Sequence, residues 1–183
     1  MREVSISGAA FAVVAAGLAL GCSDRPHGEP PTRAVAVVRP TDGNTCRGVV
    51  QFEETPRGLK IVADVEGLSP GGKHGFHIHE YGDATAPDAT SAGDHYNPEG
   101  HRHAGPEAEE RHAGDLGNLV ADAAGVAHYE LVVSRLTVAG EINPIIGRAV
   151  VVHRDPDDLT SQPTGGAGPR IGVGVIGVAK PIE

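Results

Sequence analysis

The stretch GKHGFHIHEYGD, residues 72–83, places His74, His77 and His79 within six positions of a segment that otherwise reads as a β-strand. In a strand, residues i and i+2 leave the same face, so His77 and His79 would stand side by side about 7 Å apart. That is a metal-binding geometry. A pair of exposed histidines has the same spacing, so the H-x-H alone leaves both readings open.

Outward from this segment, short alternating or β-branched runs recur with turn signals between them. Before it come AVAVV (34–38), CRGVVQFEE (46–54) and LKIVADVEG (59–67). After it come LGNLVAD (116–122), VAHYELVV (126–133), GRAVVVH (147–153) and IGVGVIGVA (171–179). With HGFHIHE (74–80) they make eight strands, joined in part through TDGN (41–44), TPRG (55–58), SPGG (69–72) and DAAG (122–125). The 183-residue chain has 26 Gly and 14 Pro and no long run of apolar residues at helical spacing. The expected fold is all-β, an eight-stranded Greek-key β-barrel or sandwich with two long functional loops. A formal charge of −9 weighs against nucleic acid as a partner. It also means that an anionic substrate would need a local positive site.

The two long connections are residues 81–115 and 154–170. Loops of such length in a compact β-domain are commonly functional or disordered. The first contains HYNPEGHRHAGPEAEERHAGD, so six of the chain's ten histidines fall between His77 and His112. A solvated loop has no need of so many imidazoles, and metal binding becomes the better reading. GVGVIG, residues 172–177, matches a dinucleotide-binding pattern in letters only. It lies inside a terminal strand with no helix after it, where alternating glycines permit close approach of another surface.

At the N-terminus, the apolar run of residues 8–20 is too short to span a bilayer and is followed directly by LGCSD. It reads as an export signal over residues 1–21, and LALGC resembles a bacterial lipoprotein processing site with Cys22 as the lipid-bearing residue, simple secretion being the alternative. The expected product is periplasmic or at the cell surface, and membrane-anchored. A flexible tether over 22–33 leads to the folded domain, 34–183. Cys46 is the one other cysteine, and it reads as a small buried hydrophobe in an early strand.

Taken together, GFHIHEYGD, TSAGDHYNP, ERHAGDLGN, IIGRAVVVH and GAGPRIGVGVIGVA resemble the Cu,Zn superoxide dismutase family, and the resemblance covers about residues 34–180. It implies one copper and one zinc ion per subunit and dismutation of superoxide to oxygen and hydrogen peroxide. The copper ligands it implies are His77, His79, His95 and His153; the zinc ligands are His95, His103, His112 and Asp115. Copper can alternate between two oxidation states, while zinc cannot and pins the loop. His95 would be an imidazolate shared by both ions, and would carry a proton to the second superoxide. The resemblance further implies that Asp157 orients His77 and His103, and that Arg170 attracts and docks the anion against the overall negative charge. His74 matches a structural histidine, whereas His101 and His128 match no role and read as surface residues.

Three departures stand out. The family's intrasubunit disulfide would join the positions of Ala89 and Val173, and neither is cysteine. The segment from Asp157 to Arg170 is several residues shorter than the loop that in many members carries steering charges, so attraction of superoxide is expected to be less focused. Cys46 has no family role. GVIGVA resembles the strand that pairs subunits in dimeric members, which implies a homodimer. The alternative function is a non-catalytic copper- and zinc-binding or buffering module with the same fold. Relatives of that sort lose copper ligands or the arginine, and this chain keeps them all.

Overall fold

Alternation decides which side of each strand is buried. In β1 (Arg33–Pro40), Ala34, Ala36 and Val38 point inward; in β3 (Gly58–Glu66), Leu59, Ile61, Ala63 and Val65 do so, while Asp64 and Glu66 face water. Between them lies β2 (Arg47–Thr55), which contributes Val50 and Phe52. The computed structural model describes Met1 and residues 29–181. Apart from Met1, the expected export signal, Cys22 and the first part of the tether lie outside the described residues.

The remaining strands are β4 (Lys73–His79), β5 (Asp115–Val120), β6 (Ala127–Val133), β7 (Ala149–His153) and β8 (Arg170–Val178). All eight expected strands are present, their ends shifted by two residues at most. Strand β1 begins one residue ahead of the boundary that the sequence suggests for the domain. The strands form one antiparallel sheet in the order β5-β4-β7-β8-β1-β2-β3-β6. The β3–β4 and β6–β7 connections cross between the two halves, which gives a Greek-key barrel. The sheet's two edges, β5 and β6, are tied by the Tyr129 hydroxyl, which donates to the Leu116 carbonyl at 2.6 Å. Inside, Phe52, Phe76, Leu59, Ile61, Leu116 and Leu119 are fully buried, each contributing roughly 1.5–3 kcal/mol by leaving water.

Strand β7 is buried on both faces, and so is β4 from His74 onward. The 81–115 connection explains much of this. It carries a 3-10 turn at Thr90–Ala92, and its Ala89 and Ala92 pack with Ala149, Val151 and Val173 in a small second cluster outside the barrel. Farther on it runs beside β4, where the Tyr96 amide donates to the Ile78 carbonyl at 2.8 Å and the Ile78 amide to the Gly114 carbonyl at 2.9 Å. The Arg148 guanidinium lies over the Tyr96 ring, 3.4 Å from its centre. Ala89 and Val173, where the family disulfide would stand, therefore meet as apolar partners.

Cys46 is free and wholly buried just before β2, and burial pushes its thiol up to about 12. Gly172 makes room for it, because a Cβ there would lie 2.7 Å from the Cys46 sulfur. That is the close approach expected of the alternating glycines in β8.

Candidate metal centre

Strand β4 sends Phe76 and Ile78 into the barrel core and His77 and His79 to the opposite face, with ring centres 6.4 Å apart. The pairing of β4 with β5 shifts register between Gly75 and His77, and that of β7 with β8 shifts between Val152 and His153. Both irregularities adjoin a histidine of the cluster, where an irregular ladder can re-aim a side chain. His95 arrives on the long connection and forms an isolated bridge with His79.

Hydrogen bonds settle which ring nitrogens are free. The Nδ1 atoms of His79 and His153 donate to the carbonyls of Gly93 and Gly168, each at 2.9 Å. Both Nε2 atoms then carry lone pairs, yet they face each other at 3.3 Å. Two lone pairs at that distance repel unless a cation lies between them. His77 donates from Nε2 to Asp157 at 2.8 Å, which leaves its buried Nδ1 without a hydrogen bond. The Nε2 of His95 is likewise buried and unbonded. Burial lowers His77, takes His79 well below its ordinary range, and pushes His95 down to about 4 and His153 to about 3. The imidazoles are thus neutral, as metal ligands must be.

The second set centres on Asp115, the first residue of β5. Its Oδ1 lies 2.8 Å from His95 Nδ1, 3.0 Å from His103 Nδ1 and 3.3 Å from His112 Nδ1. The edges of a zinc tetrahedron with three nitrogens and one oxygen are roughly 3.3 Å. The nitrogens of His103 and His112 approach Asp115 without forming hydrogen bonds to it, which fits lone pairs aimed at a shared point. Its other oxygen is held by the amides of Ala104 and His112, at 3.2 and 3.1 Å. Burial alone would raise the Asp115 carboxyl, but the close approach of the His103, His112 and His95 rings holds it well below the carboxylate range. Burial also pulls His103 down, but Asp115 and Asp157 outweigh it and push the ring up to about 9. Two buried carboxylates here call for positive charge, which a divalent cation would supply. In each set the donor atoms lie within 4.8 Å of one another, and His95 belongs to both.

Asp157 joins the sets, accepting from His77 on one oxygen at 2.8 Å and from His103 on the other at 2.9 Å. The Asn118 side chain clasps the Asp157 backbone at both ends, at 2.8 and 2.9 Å. Gly165 closes over the pair with φ +68°; a Cβ there would fall 1.9 Å from the Asp157 Oδ1. Arg170 donates to the carbonyls of Ala89 at 2.5 Å and Gly93 at 2.6 Å. The Gly93 carbonyl is therefore shared between Arg170 and His79, and the arginine's charge contributes to the lowering of both His79 and His153. Arg170 lines a cavity of about 190 Å³ with Asp88, Thr90, Gly168 and Pro169, a size suited to a small anion. A much larger groove, about 580 Å³ against the outer face of β1 and β8, is lined by no histidine, so the donor sets locate the chemistry rather than cavity size.

Among the other histidines, His74 donates from Nδ1 to the His153 carbonyl at 2.9 Å and steadies the His153 backbone. His128 is exposed beside Asp64, and His101 lies 3.6 Å from Glu99; both stand outside the two sets. Sequence reasoning missed Asn118, Gly165 and Gln162. Asn118 falls within ERHAGDLGN, but nothing in that string points to Asp157.

Residues 46–176 match the family model described as copper/zinc superoxide dismutase. "Superoxide dismutase [Cu-Zn]" of Paramecium bursaria Chlorella virus 1 is 47% identical over 156 residues, covering 82% of this chain and 80% of that protein. "Superoxide dismutase [Cu-Zn] 3" of Arabidopsis thaliana is 45% identical over 153 residues, covering 80% of this chain and 90% of that protein. "Extracellular superoxide dismutase [Cu-Zn]" of Onchocerca volvulus is 44% identical over 164 residues, 84% and 79% of the two chains. Among solved structures, that of the clock protein EA4 is 40% identical with a TM-score of 0.74, covering 81% of this chain and 96% of that one. With two imidazole-rich donor sets sharing one histidine inside a Greek-key barrel, and this likeness over most of its length, the chain belongs to the copper/zinc superoxide dismutase family.

Proposed function

We propose that this chain converts two superoxide radicals to oxygen and hydrogen peroxide with copper held by His77, His79, His95 and His153 and zinc held by His95, His103, His112 and Asp115. The observation that carries this reading is the membership of His95 in both donor sets. Bound copper supplies the one-electron change of dismutation, and bound zinc supplies a fixed positive charge. Arg170 binds the anion. Its fixing by two loop carbonyls keeps its charge at the cavity and costs no reordering when superoxide arrives. His95 Nε2 is the atom that holds a proton between the two half-reactions and passes it to the second superoxide as peroxide forms, water supplying the other. The test is the rate of superoxide decay, with copper and zinc content measured in the same sample. Full metal content without turnover would mark a buffering module instead.

Asp157→Asn replaces an acceptor for two N–H donors with a group that has one acceptor and one donor. One of the His77 and His103 rings must then turn or lose its partner. Zinc retention and activity are expected to fall by about 10- to 100-fold. Zinc content equal to wild type after dialysis against a mild chelator would count against it.

The reading extends to export, which agrees with the sequence of residues 1–21 and with a relative named as extracellular. Cys22 is the lipid-bearing residue in this scheme. Cys22→Ser should move the protein from the membrane fraction to the soluble one or leave it unprocessed. Mass spectrometry finding an unmodified N-terminus beyond residue 22 would favour simple secretion. Pairing of two copies through β8 is supported by the exposed Val175 and Val37, which line the large groove with Val35. Sedimentation equilibrium giving a monomer would overturn it.

A further inference from the structure

Between Asp157 and Arg170 the chain has one charged residue, Asp158, so this short segment has little with which to steer an anion. Its bonding shows a different use. Asp158 Oδ1 accepts from the amides of Thr160 at 2.9 Å and Ser161 at 2.7 Å, and the Ser161 carbonyl accepts from the Gly165 amide at 2.7 Å. On the turn so built, Gln162 reaches across the chain to His103. The His103 amide donates to Gln162 Oε1 at 2.9 Å, and Gln162 Nε2 donates to the His103 carbonyl at 2.8 Å and to the Thr160 carbonyl at 3.0 Å. The amide thus pairs with both backbone groups of His103, as a neighbouring strand would. The reversed amide would set donor against donor, so its orientation is determined by the partners.

We propose that Gln162 is a positioning residue for the zinc set: it holds the main chain of His103 in register with Asp115, and makes the short segment a clasp on the metal-bearing loop. The ring of His103 is oriented by Asp157 through Nε2. Ring orientation alone does not place Nδ1, because the backbone could still slide along the loop. Gln162 removes that freedom with two bonds on opposite sides of one residue. This inference rests on the assignment of His103 as a zinc ligand.

The test uses the full chain loaded with copper and zinc, and a second sample with cobalt(II) in place of zinc. Gln162→Met keeps length and volume and removes both hydrogen bonds. It should release zinc to a chromogenic chelator at least about 10-fold faster than wild type and shift the visible bands of the cobalt form. Gln162→Glu, which keeps an acceptor for the His103 amide but sets a carboxylate oxygen against the His103 and Thr160 carbonyls, should release zinc at least as fast as Gln162→Met; it decides alone if the first variant does not fold. Wild-type release and unshifted bands in both variants would overturn the clasp. Faster release with unshifted bands would also overturn it, showing support of the loop without positioning of the ligand. A wild-type chain that takes up no cobalt at this site would overturn the ligand assignment, and the clasp with it.

Discussion

Stripping zinc should lower the thermal midpoint of the protein by about 8–16 °C, while a thiol reductant that binds neither metal should leave it unchanged. Where the family bridge would tie the long loop to β8, Ala89 and Val173 meet in a small apolar cluster. A bridge of that kind typically contributes about 2–4 kcal/mol, and here the equivalent tie must come from packing and metal. Asp115 stands at the centre of that tie, with three imidazole nitrogens within 3.3 Å of one oxygen. Zinc present at about 1,000 times its dissociation constant contributes about 4 kcal/mol, and each kcal/mol moves the midpoint of a domain this size by about 2–4 °C. Hydrogen exchange should show the loosening confined first to residues 81–115. A large drop on reduction would mean that Cys46 is bonded to another chain, contrary to its burial as a free thiol.

Arg170→Glu should lower kcat/KM by at least about 10-fold at low ionic strength, and added salt should then raise the rate rather than reduce it. The guanidinium is the positive group lining the small cavity, with Asp88 already beside it. Reversing the charge places carboxylate next to carboxylate where the anion must dock. It also removes the donors that serve the Ala89 and Gly93 carbonyls, and Gly93 in turn holds His79. Arg170→Gln separates the two effects: it keeps some hydrogen-bonding capacity without charge and should be slowed less, with a rate nearly independent of salt. An unchanged rate for Arg170→Glu at low ionic strength would sink the docking role.

The strands and the His77–His79 pair were legible in the residues because their signals are local. Alternation tells which face of a strand is apolar, and the H-x-H spacing in GFHIHE places two imidazoles on one face whatever the rest of the chain does. The absence of the family bridge was read through the resemblance, from Ala89 and Val173, while Cys46 could be read locally as a small buried hydrophobe. The division of the histidines and Asp115 into two donor sets, and the roles of Asp157 and Arg170, were found through resemblance to known motifs, since a loop histidine, a loop aspartate or a strand-end arginine has no local signature that assigns its role. What required the folded chain is the set of contacts between distant segments. The register shifts beside His77 and His153, the three nitrogens gathered on one oxygen of Asp115, and the clasps of Asn118 on Asp157 and of Gln162 on His103 all depend on which loops close against which strands. Asn, Gln and Gly in a loop look the same in sequence whether they face water or a buried carboxylate. Only burial, which removes water as the competing partner, turns them into parts of the site.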